Sequence, residues 1–586
     1  MRRVWPVVLI VILGLVAGYA SYQYLGLDTF KAVVNYHSPY QFSDLPASQD
    51  VQAPPLTHKV VIFLIDGLRD DVSRQLDTLN ALRQKGADLT AVAGQPSLSL
   101  PGATVLSTGT WQEISGVTTN WYSGKVLVDS IWAAARRAGL STGIVAGESW
   151  GTMFGQYVTY GEYVSDEGDQ YDNEVEKKAA ALVQGNQPDL MLVHFSAVDN
   201  NGHAHGGKSP EYLAAAKEID ARIGRLLPLL QPGTTVVVVA DHGHIATGGH
   251  GGWEPEVLSV PLILSGPGVK AGAYGLVRQA DLVPTLSALL GIPIPAHAVG
   301  EPLFGILDAS PDWISLEAQA WEKQQLAFRA AEYRYFTGTD LPAAPSGAVN
   351  AAIGPETGPR PVNPEAYGSA MPGVAQAEQS LAPAVQSVTA ARAARLAHER
   401  WGRLPWALVA LAAVAGAVYL AWRHKMAGRS LLGVAVYLTV FYGLYFGRGY
   451  YFSLSVFNEE SAVQSFFIAR MIDAAVAMLL AALVAGIVTG RRRYTAVTAA
   501  ESGAYTLMLV LAAQLLTMLP MMYLWGLRYA WYIPPLRLGF GFLVAAIATM
   551  GVGVGGILSP FAAMAGAKLG AMIWHPERPG IAGFGQ

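Results

Sequence analysis

The sequence predicts an α/β domain with a mostly parallel sheet sandwiched by helices, joined to a C-terminal bundle of transmembrane helices. Two patterns predict it. Short β-branched runs alternate with helical patterns between about Lys59 and Phe336, the arrangement that builds parallel sheets. Six apolar stretches, five of them in the C-terminal third, are long enough to cross a bilayer. The 586 residues, 52% hydrophobic and 14% charged, agree with a globular domain tied to lipid-embedded helices, since a single core stops growing at roughly 250–300 residues.

The expected strands are Lys59–Ile65, Asp189–Phe195, Thr234–Ala240 and Val260–Ser265, and the clearest helical patterns are Pro210–Leu230 and Gln279–Leu290. The expected spans are Val4–Ala20, Leu404–Trp422, Leu431–Gly447, Ile468–Gly490, Ala504–Gly526 and Leu538–Pro560. Small residues at Ala17-Gly18-Tyr19-Ala20 also resemble the end of a cleaved signal peptide; an uncleaved anchor is the reading adopted.

The resulting domains are a transmembrane anchor over 1–25, a catalytic domain over 26–336, an Ala/Pro/Gly-rich linker with a juxtamembrane helix over 337–402, a five-helix membrane domain over 403–565 and a tail over 566–586. The juxtamembrane helix is expected over Ala377–Trp401. Basic residues gather in cytoplasmic loops. Arg2-Arg3, Arg423 to Arg429 with Lys425, Arg491-Arg492-Arg493, and the tail with Lys568 and Arg578 all fall on one side of this topology. Glu459-Glu460 and the loop with Tyr529, Trp531 and Tyr532 fall on the other. The N-terminus is therefore expected in the cytoplasm and the catalytic domain outside the cytoplasmic membrane.

A net charge of −4 offers no basic surface for nucleic acid. The absence of cysteine excludes disulfides, thiolate metal sites and cysteine nucleophiles, so any metal must be held by His, Asp, Glu or hydroxyl groups.

In a parallel sheet, functional groups collect beyond the carboxyl ends of the strands. Three expected strands lead to a carboxylate there: Asp66, Asp199 and Asp241. Asp199 and His203 stand four apart, His242 follows Asp241, and His250 lies in the run Gly248-Gly249-His250-Gly251-Gly252. Such oxygen and nitrogen donors suit zinc or manganese. Asp199, His203 and His250 are assigned to one metal, and Asp66, Asp241, His242 and Ser99 to a second. Ser99 opens a helical pattern after the turn-rich Pro96-Ser97-Leu98, where free backbone N–H groups can meet an anion. Metal coordination would lower its hydroxyl pKa and make it a nucleophile. Asn120 is the candidate donor to a non-bridging phosphate oxygen.

Asp66-Gly-Leu-Arg69, Ser99-Leu-Pro-Gly102, Val117-Thr-Thr-Asn120, Asp199-Asn-Asn-Gly-His203, Asp241-His-Gly243 and Gly249-His250-Gly251 together resemble, in order, the motifs of the alkaline phosphatase superfamily. Within it the chain is most similar to nucleotide pyrophosphatase/phosphodiesterases and glycosylphosphatidylinositol ethanolamine-phosphate transferases. The resemblance covers roughly Lys59 to Gly272. It implies two zinc ions, a covalent phospho-hydroxyl intermediate and the same partition of ligands, with Asn120 matching the phosphate-binding asparagine. Serine at 99 departs from the usual threonine of the phosphodiesterases and is similar to the transferases. A sulfatase would need x-Pro-x-Arg after its modified residue, whereas Ser99 is followed by Leu-Pro-Gly-Ala103. Phosphoglycerate mutases of the superfamily are generally soluble.

Other polar residues have plainer readings. Ser97 competes with Ser99 and loses on motif register; His194 inside an apolar strand reads as a core histidine; Asp70 and Asp71 read as a solvated helical turn. His205 is left out, and Arg69 reads equally as an anion contact or a structural ion pair. Arg470 and Asp473 read as an ion pair near the outer interface, with Arg470 snorkelling. The expected function is a membrane-bound two-metal phosphodiesterase or phosphotransferase, contacting membrane lipids and acting on a phosphoester that a lipid or glycolipid can carry. The intact ligand set argues against the other reading, a catalytically silent accessory domain of a membrane module for envelope polymers.

Overall fold

The computed structural model describes residues 4–43, 45, 53–165, 170–342, 363–459 and 461–575. Arg2, Arg3, Glu460 and Arg578, used above for orientation, lie outside the described residues. The chain divides into two compact units, Tyr36–Arg395 with Ala530–Tyr532, and Met1–Asn35 with Leu396–Tyr529 and Ile533–Gln586.

The first unit is built on eight strands among the described residues: β1 Lys59–Ile65, β2 Ala87–Val92, β3 Thr142–Gly147, β4 Tyr160–Val164, β5 Leu190–Phe195, β6 Thr234–Val239, β7 Ser259–Ser265 and β8 Gly272–Arg278. They form one sheet in the order β4-β3-β5-β1-β6-β7-β2-β8. All pairings are parallel except those of β7, which runs antiparallel to both β6 and β2. β1, β5 and β6 sit side by side and are almost wholly buried, which is why they read as continuous apolar runs. β2, β3, β4 and β8 escaped the sequence reading. Asp88 and Thr90 interrupt β2, and glycines dilute β3, β4 and β8, so none shows a long β-branched run.

The helix expected over Pro210–Leu230 runs from Pro210 to Leu226, with Ser209 accepting the Tyr212 N–H at its start. Pro228 turns its end into a short 3-10 segment. Residues 363–395, placed above in the 337–402 linker, pack on the α/β unit. Tyr367 is buried and its hydroxyl donates to Asp281 Oδ2 at 2.7 Å. Val374, Ala377 and Leu381, at helical spacing, enter the core. The juxtamembrane helix is accordingly longer than expected, continuous from Pro372 to Arg423.

Six helices among the described residues are long and apolar enough to cross a membrane: Trp5–Val34, Pro372–Arg423, Ala427–Gly447, Ala462–Gly490, Ala496–Leu524 and Leu536–Trp574. The last passes through Pro560, where a stop was expected, and takes Lys568 out of the tail. In the membrane unit the first helix packs closely on the last. A Cβ on Gly18 would lie 2.9 Å from the Thr549 carbonyl oxygen, and Ser21 Oγ donates to the Ala546 carbonyl at 3.0 Å. Arg470 does not snorkel. Its side chain is 2% exposed, ion-paired to Asp473 at 2.8 Å and surrounded by the rings of Tyr445, Tyr450 and Phe466. Asp473 also accepts from Arg448 Nη1 at 2.6 Å.

Candidate active site

The three adjacent strands β5, β1 and β6 end side by side, and their carboxyl ends carry the site. Asp66 follows β1 directly, with its backbone N–H bonded to the Phe195 carbonyl at the end of β5. Gly67 then turns at φ 71°, and a Cβ there would lie 2.9 Å from the Cα of Asp199. This glycine lets two site segments meet. Asp241 follows β6 after Ala240. Its Oδ1 accepts the Gly67 and His242 N–H groups at 3.1 and 2.9 Å, and Gln279 Nε2 donates to its carbonyl at 2.8 Å. Asp199 and His203 lie on the helix Ala197–His205, one turn apart and on one face. Asp172 fixes the chain entering that helix by accepting the Ser196 and Ala197 N–H groups, each at 2.9 Å.

Two groups of donors result. Asp66, Asp241 and His242 form one; Asp199, His203, His244 and His250 form the other. In the first, His242 Nε2 lies 3.4 Å from Asp66 Oδ1 and 3.5 Å from Asp241 Oδ2. In the second, His203 Nε2 lies 3.3 Å from Asp199 Oδ2 and 3.1 Å from His250 Nε2. The groups adjoin, for the rings of His242 and His250 stack with centroids 3.8 Å apart. All seven residues assigned to metals from the sequence, Ser99 among them, come together here, and His244 joins them.

Ser99 is the first residue of the helix Ser99–Thr108. Its Oγ lies 3.2 Å from His242 Nε2 and 3.5 Å from Asp66 Oδ1. Ser97 has a different role: buried, it donates to the Gly252 carbonyl at 3.0 Å. Gly102 seats this helix against β6, since a Cβ there would lie 2.8 Å from that of Asp241. Asn120 Oδ1 accepts the Leu100 N–H at 3.0 Å, which leaves the amide nitrogen as its donor.

Electrostatics favour cations. Asp66, Asp241 and His242 are buried, and among the described residues no Lys or Arg pairs with Asp66, Asp199 or Asp241. Burial pushes the Asp66 carboxyl well above its ordinary range, and repulsion from Asp199 adds to it. Burial and then Asp66 raise Asp241 in the same way. Burial would also raise Asp199, but hydrogen bonds from His203 and His244 hold it well below. Burial lowers His242 well below the usual imidazole value and His250 to about 3, so both are neutral at pH 7. In each, Nδ1 faces a backbone carbonyl, Gly243 for His242 at 3.2 Å and Ser97 for His250 at 3.1 Å. A neutral ring so placed keeps its proton on Nδ1 and offers the Nε2 lone pair to the cluster, as a metal ligand must. Each donor set could hold a metal ion.

Two histidines that the sequence reading did not use belong here. His244 Nε2 lies 2.7 Å from Asp199 Oδ1, and His194 Nε2 lies 3.1 Å from Asp66 Oδ2. His194 is no isolated core histidine; its other nitrogen meets the Tyr171 hydroxyl at 3.1 Å. The one available signal for His244 was its place two residues after His242. Asp70 and Asp71 are not ligands but pair with Arg74 and Arg69, and Arg69 also donates to the His244 carbonyl at 3.0 Å. His205 is exposed.

The first unit is thus a mostly parallel α/β sheet with paired Asp/His groups beyond its central strands. Residues 60–252 match the family described as type I phosphodiesterase / nucleotide pyrophosphatase. The chain is also similar to GPI ethanolamine phosphate transferase 2, catalytic subunit, of Homo sapiens, 30% identical over an alignment of 283 residues, with 44% of this chain and 29% of the relative covered. It is 25% identical to GPI ethanolamine phosphate transferase 3, catalytic subunit, of Mus musculus over 290 residues, 44% of this chain and 26% of the relative. The chain thus spans under a third of the length of these relatives. Among solved structures, murine ectonucleotide pyrophosphatase / phosphodiesterase 5 is similar over 40% of this chain and 96% of its own, with 15% identity and a TM-score of 0.36. With six apolar helices among the described residues long enough to cross a bilayer, the chain is an integral membrane protein.

Proposed function

We propose that the chain is a membrane-bound two-metal phosphodiesterase or phosphotransferase that works through a phosphoserine at Ser99, on a lipid or glycolipid head group at the outer face of the cytoplasmic membrane. One observation carries this reading: the Ser99 hydroxyl, in the first turn of a helix, borders both His242 and Asp66. Asp66, Asp241, His242 and Ser99 would hold one divalent cation and Asp199, His203 and His250 the other, zinc or manganese, lowering the serine pKa and neutralising charge on the phosphoryl oxygens.

The side chains then divide the work. Ser99 Oγ bonds to phosphorus as the bond to the leaving alcohol breaks, and the Asn120 amide N–H donates to a non-bridging oxygen. In the second step an incoming hydroxyl bonds to phosphorus and Ser99 leaves. Water makes the enzyme a hydrolase; an acceptor alcohol makes it a transferase. The names of the similar transferases support a lipid-linked substrate. The basic residues Lys425 and Arg429, and Arg491-Arg492-Arg493, between consecutive apolar helices, support an outward-facing α/β unit by the positive-inside rule.

The test is turnover of bis-p-nitrophenyl phosphate by the purified full-length protein, stripped of metal and then resupplied with zinc or manganese. Metal-dependent turnover, and its loss by at least about 10³-fold in Ser99→Ala, is expected. Metal-independent turnover, or full activity in Ser99→Ala, would overturn the reading. Mass spectrometry of envelope lipids with and without the gene identifies the head group.

A further inference from the structure

We propose that Arg448, backed by the buried Arg470, binds the phosphate of a phospholipid at a site in the membrane unit that is separate from Ser99. The charges there do not balance. Asp473 Oδ2 accepts from Arg448 Nη1 at 2.6 Å and from Arg470 Nη2 at 2.8 Å, so one carboxylate oxygen serves two guanidinium groups. Asp473 is the one acidic residue in the helices Ala427–Gly447 and Ala462–Gly490. In the connection between them Glu459 is exposed and accepts from Ser461 Oγ at 3.0 Å. The group Arg448, Arg470 and Asp473 therefore carries one excess positive charge beside apolar helices, where an unmatched charge is costly and an anion is favoured.

The hydrogen bonds do not balance either. The Arg470 side chain is 2% exposed, yet its Nε and Nη1 meet no acceptor among the described residues. Its guanidinium carbon lies 4.6 Å from the ring centre of Tyr450, 5.1 Å from that of Phe466 and 5.8 Å from that of Tyr445. These ring faces attract a cation without neutralising it.

Arg448 is the accessible part. It caps the end of the helix Ala427–Gly447, and its side chain is 47% exposed. Asp473 holds one nitrogen of its fork and leaves the others for a ligand, and such a fork matches the oxygens of a phosphate. Tyr445, Phe446, Tyr450, Tyr451 and Phe452 flank Arg448 in sequence. Aromatic residues concentrate where helices pass from hydrocarbon to head groups, and that is the level at which a phospholipid carries its phosphate. Its acyl chains would lie along the apolar helices, which a free phosphate cannot use. A lipid is therefore the occupant.

The experiment is native mass spectrometry of the full-length protein, delipidated in detergent and titrated with dioleoyl phosphatidylglycerol or with dioleoylglycerol, which has the same chains and no phosphate. Wild type should bind the phospholipid at least about fivefold more tightly than the neutral lipid, the worth of about one arginine–phosphate interaction near a membrane surface. Arg448→Gln should lose that preference, and Arg448→Lys, which keeps the charge, should retain most of it. Equal binding of the two lipids by wild type, or an undiminished preference in Arg448→Gln, would overturn the proposal. Displacement of the phospholipid by millimolar inorganic phosphate would overturn the lipid assignment in favour of a free anion. The wild-type comparison needs no variant to fold, and circular dichroism confirms the helix content of the two that are made.

Discussion

The side-chain oxygen of Asn120 accepts the backbone N–H of Leu100 at 3.0 Å, which ties the proposed phosphate donor to the first turn of the Ser99 helix. The residue thus has two separable duties, holding the helix start and donating to substrate. Asn120→Asp keeps the acceptor and loses the donor. It should fold as stably as wild type yet lose about 10²–10³-fold in kcat on bis-p-nitrophenyl phosphate. Wild-type kcat in this variant would remove Asn120 from the site's chemistry.

Gly67 is held at φ 71° with no room for a Cβ beside Asp199. Gly67→Ala is expected to cost roughly 1–2 kcal/mol of stability from the left-handed backbone alone. It should also weaken zinc binding, because the methyl group displaces Asp199. Thermal unfolding and chelator competition on the same sample measure both, and unchanged zinc affinity would show that Asp199 is not held by this contact.

Glu317 lies on the helix Pro311–Thr337, where burial raises its carboxyl to about 7 despite a hydrogen bond from the Ala53 backbone. Its folded value exceeds its unfolded one, so the folded state binds the extra proton. The stability it contributes is fully present below the unfolded value and is lost as pH rises through about 7. Glu317→Gln should unfold like wild type near pH 5 and be more stable at pH 8, by up to about 3 kcal/mol. An equal stability difference at both pH values would rule out this titration.

Asp473, within the apolar helix Ala462–Gly490, accepts from Arg470 of the same helix and from Arg448, just past the end of the helix Ala427–Gly447. Asp473→Asn leaves Arg470 buried without its counter-ion and should lower stability in detergent by about 3–5 kcal/mol. Replacing Arg470 and Asp473 together by methionine should cost less than the single change. If the double variant is the weaker, the pair is favourable in its own right.

The parts of this molecule that were legible in the sequence are those set by local pattern. β1, β5 and β6 announced themselves because strands buried on both faces need unbroken apolar runs, and Asp66 and Asp241 stood out as the polar residues ending them. Asp199 and His203 were paired by helical spacing. The direction of β7 left no trace, because strand polarity follows from the path of the connection rather than from composition. His194 was hidden by its apolar neighbours, since only the tertiary fold shows that it faces Asp66. Residues 363–395 looked like a spacer because alanine and small residues satisfy a linker and a tightly packed helix equally well.

The proposed cation-binding side chains, from Asp66 to His250, are encoded before the second apolar helix begins at Pro372. As synthesis proceeds from the N-terminus, the ribosome has made every one of them before it begins the five apolar helices that follow among the described residues. The nascent protein thus carries these donors ahead of those hydrophobic helices, and cation capture need not wait for the last of them to be translated.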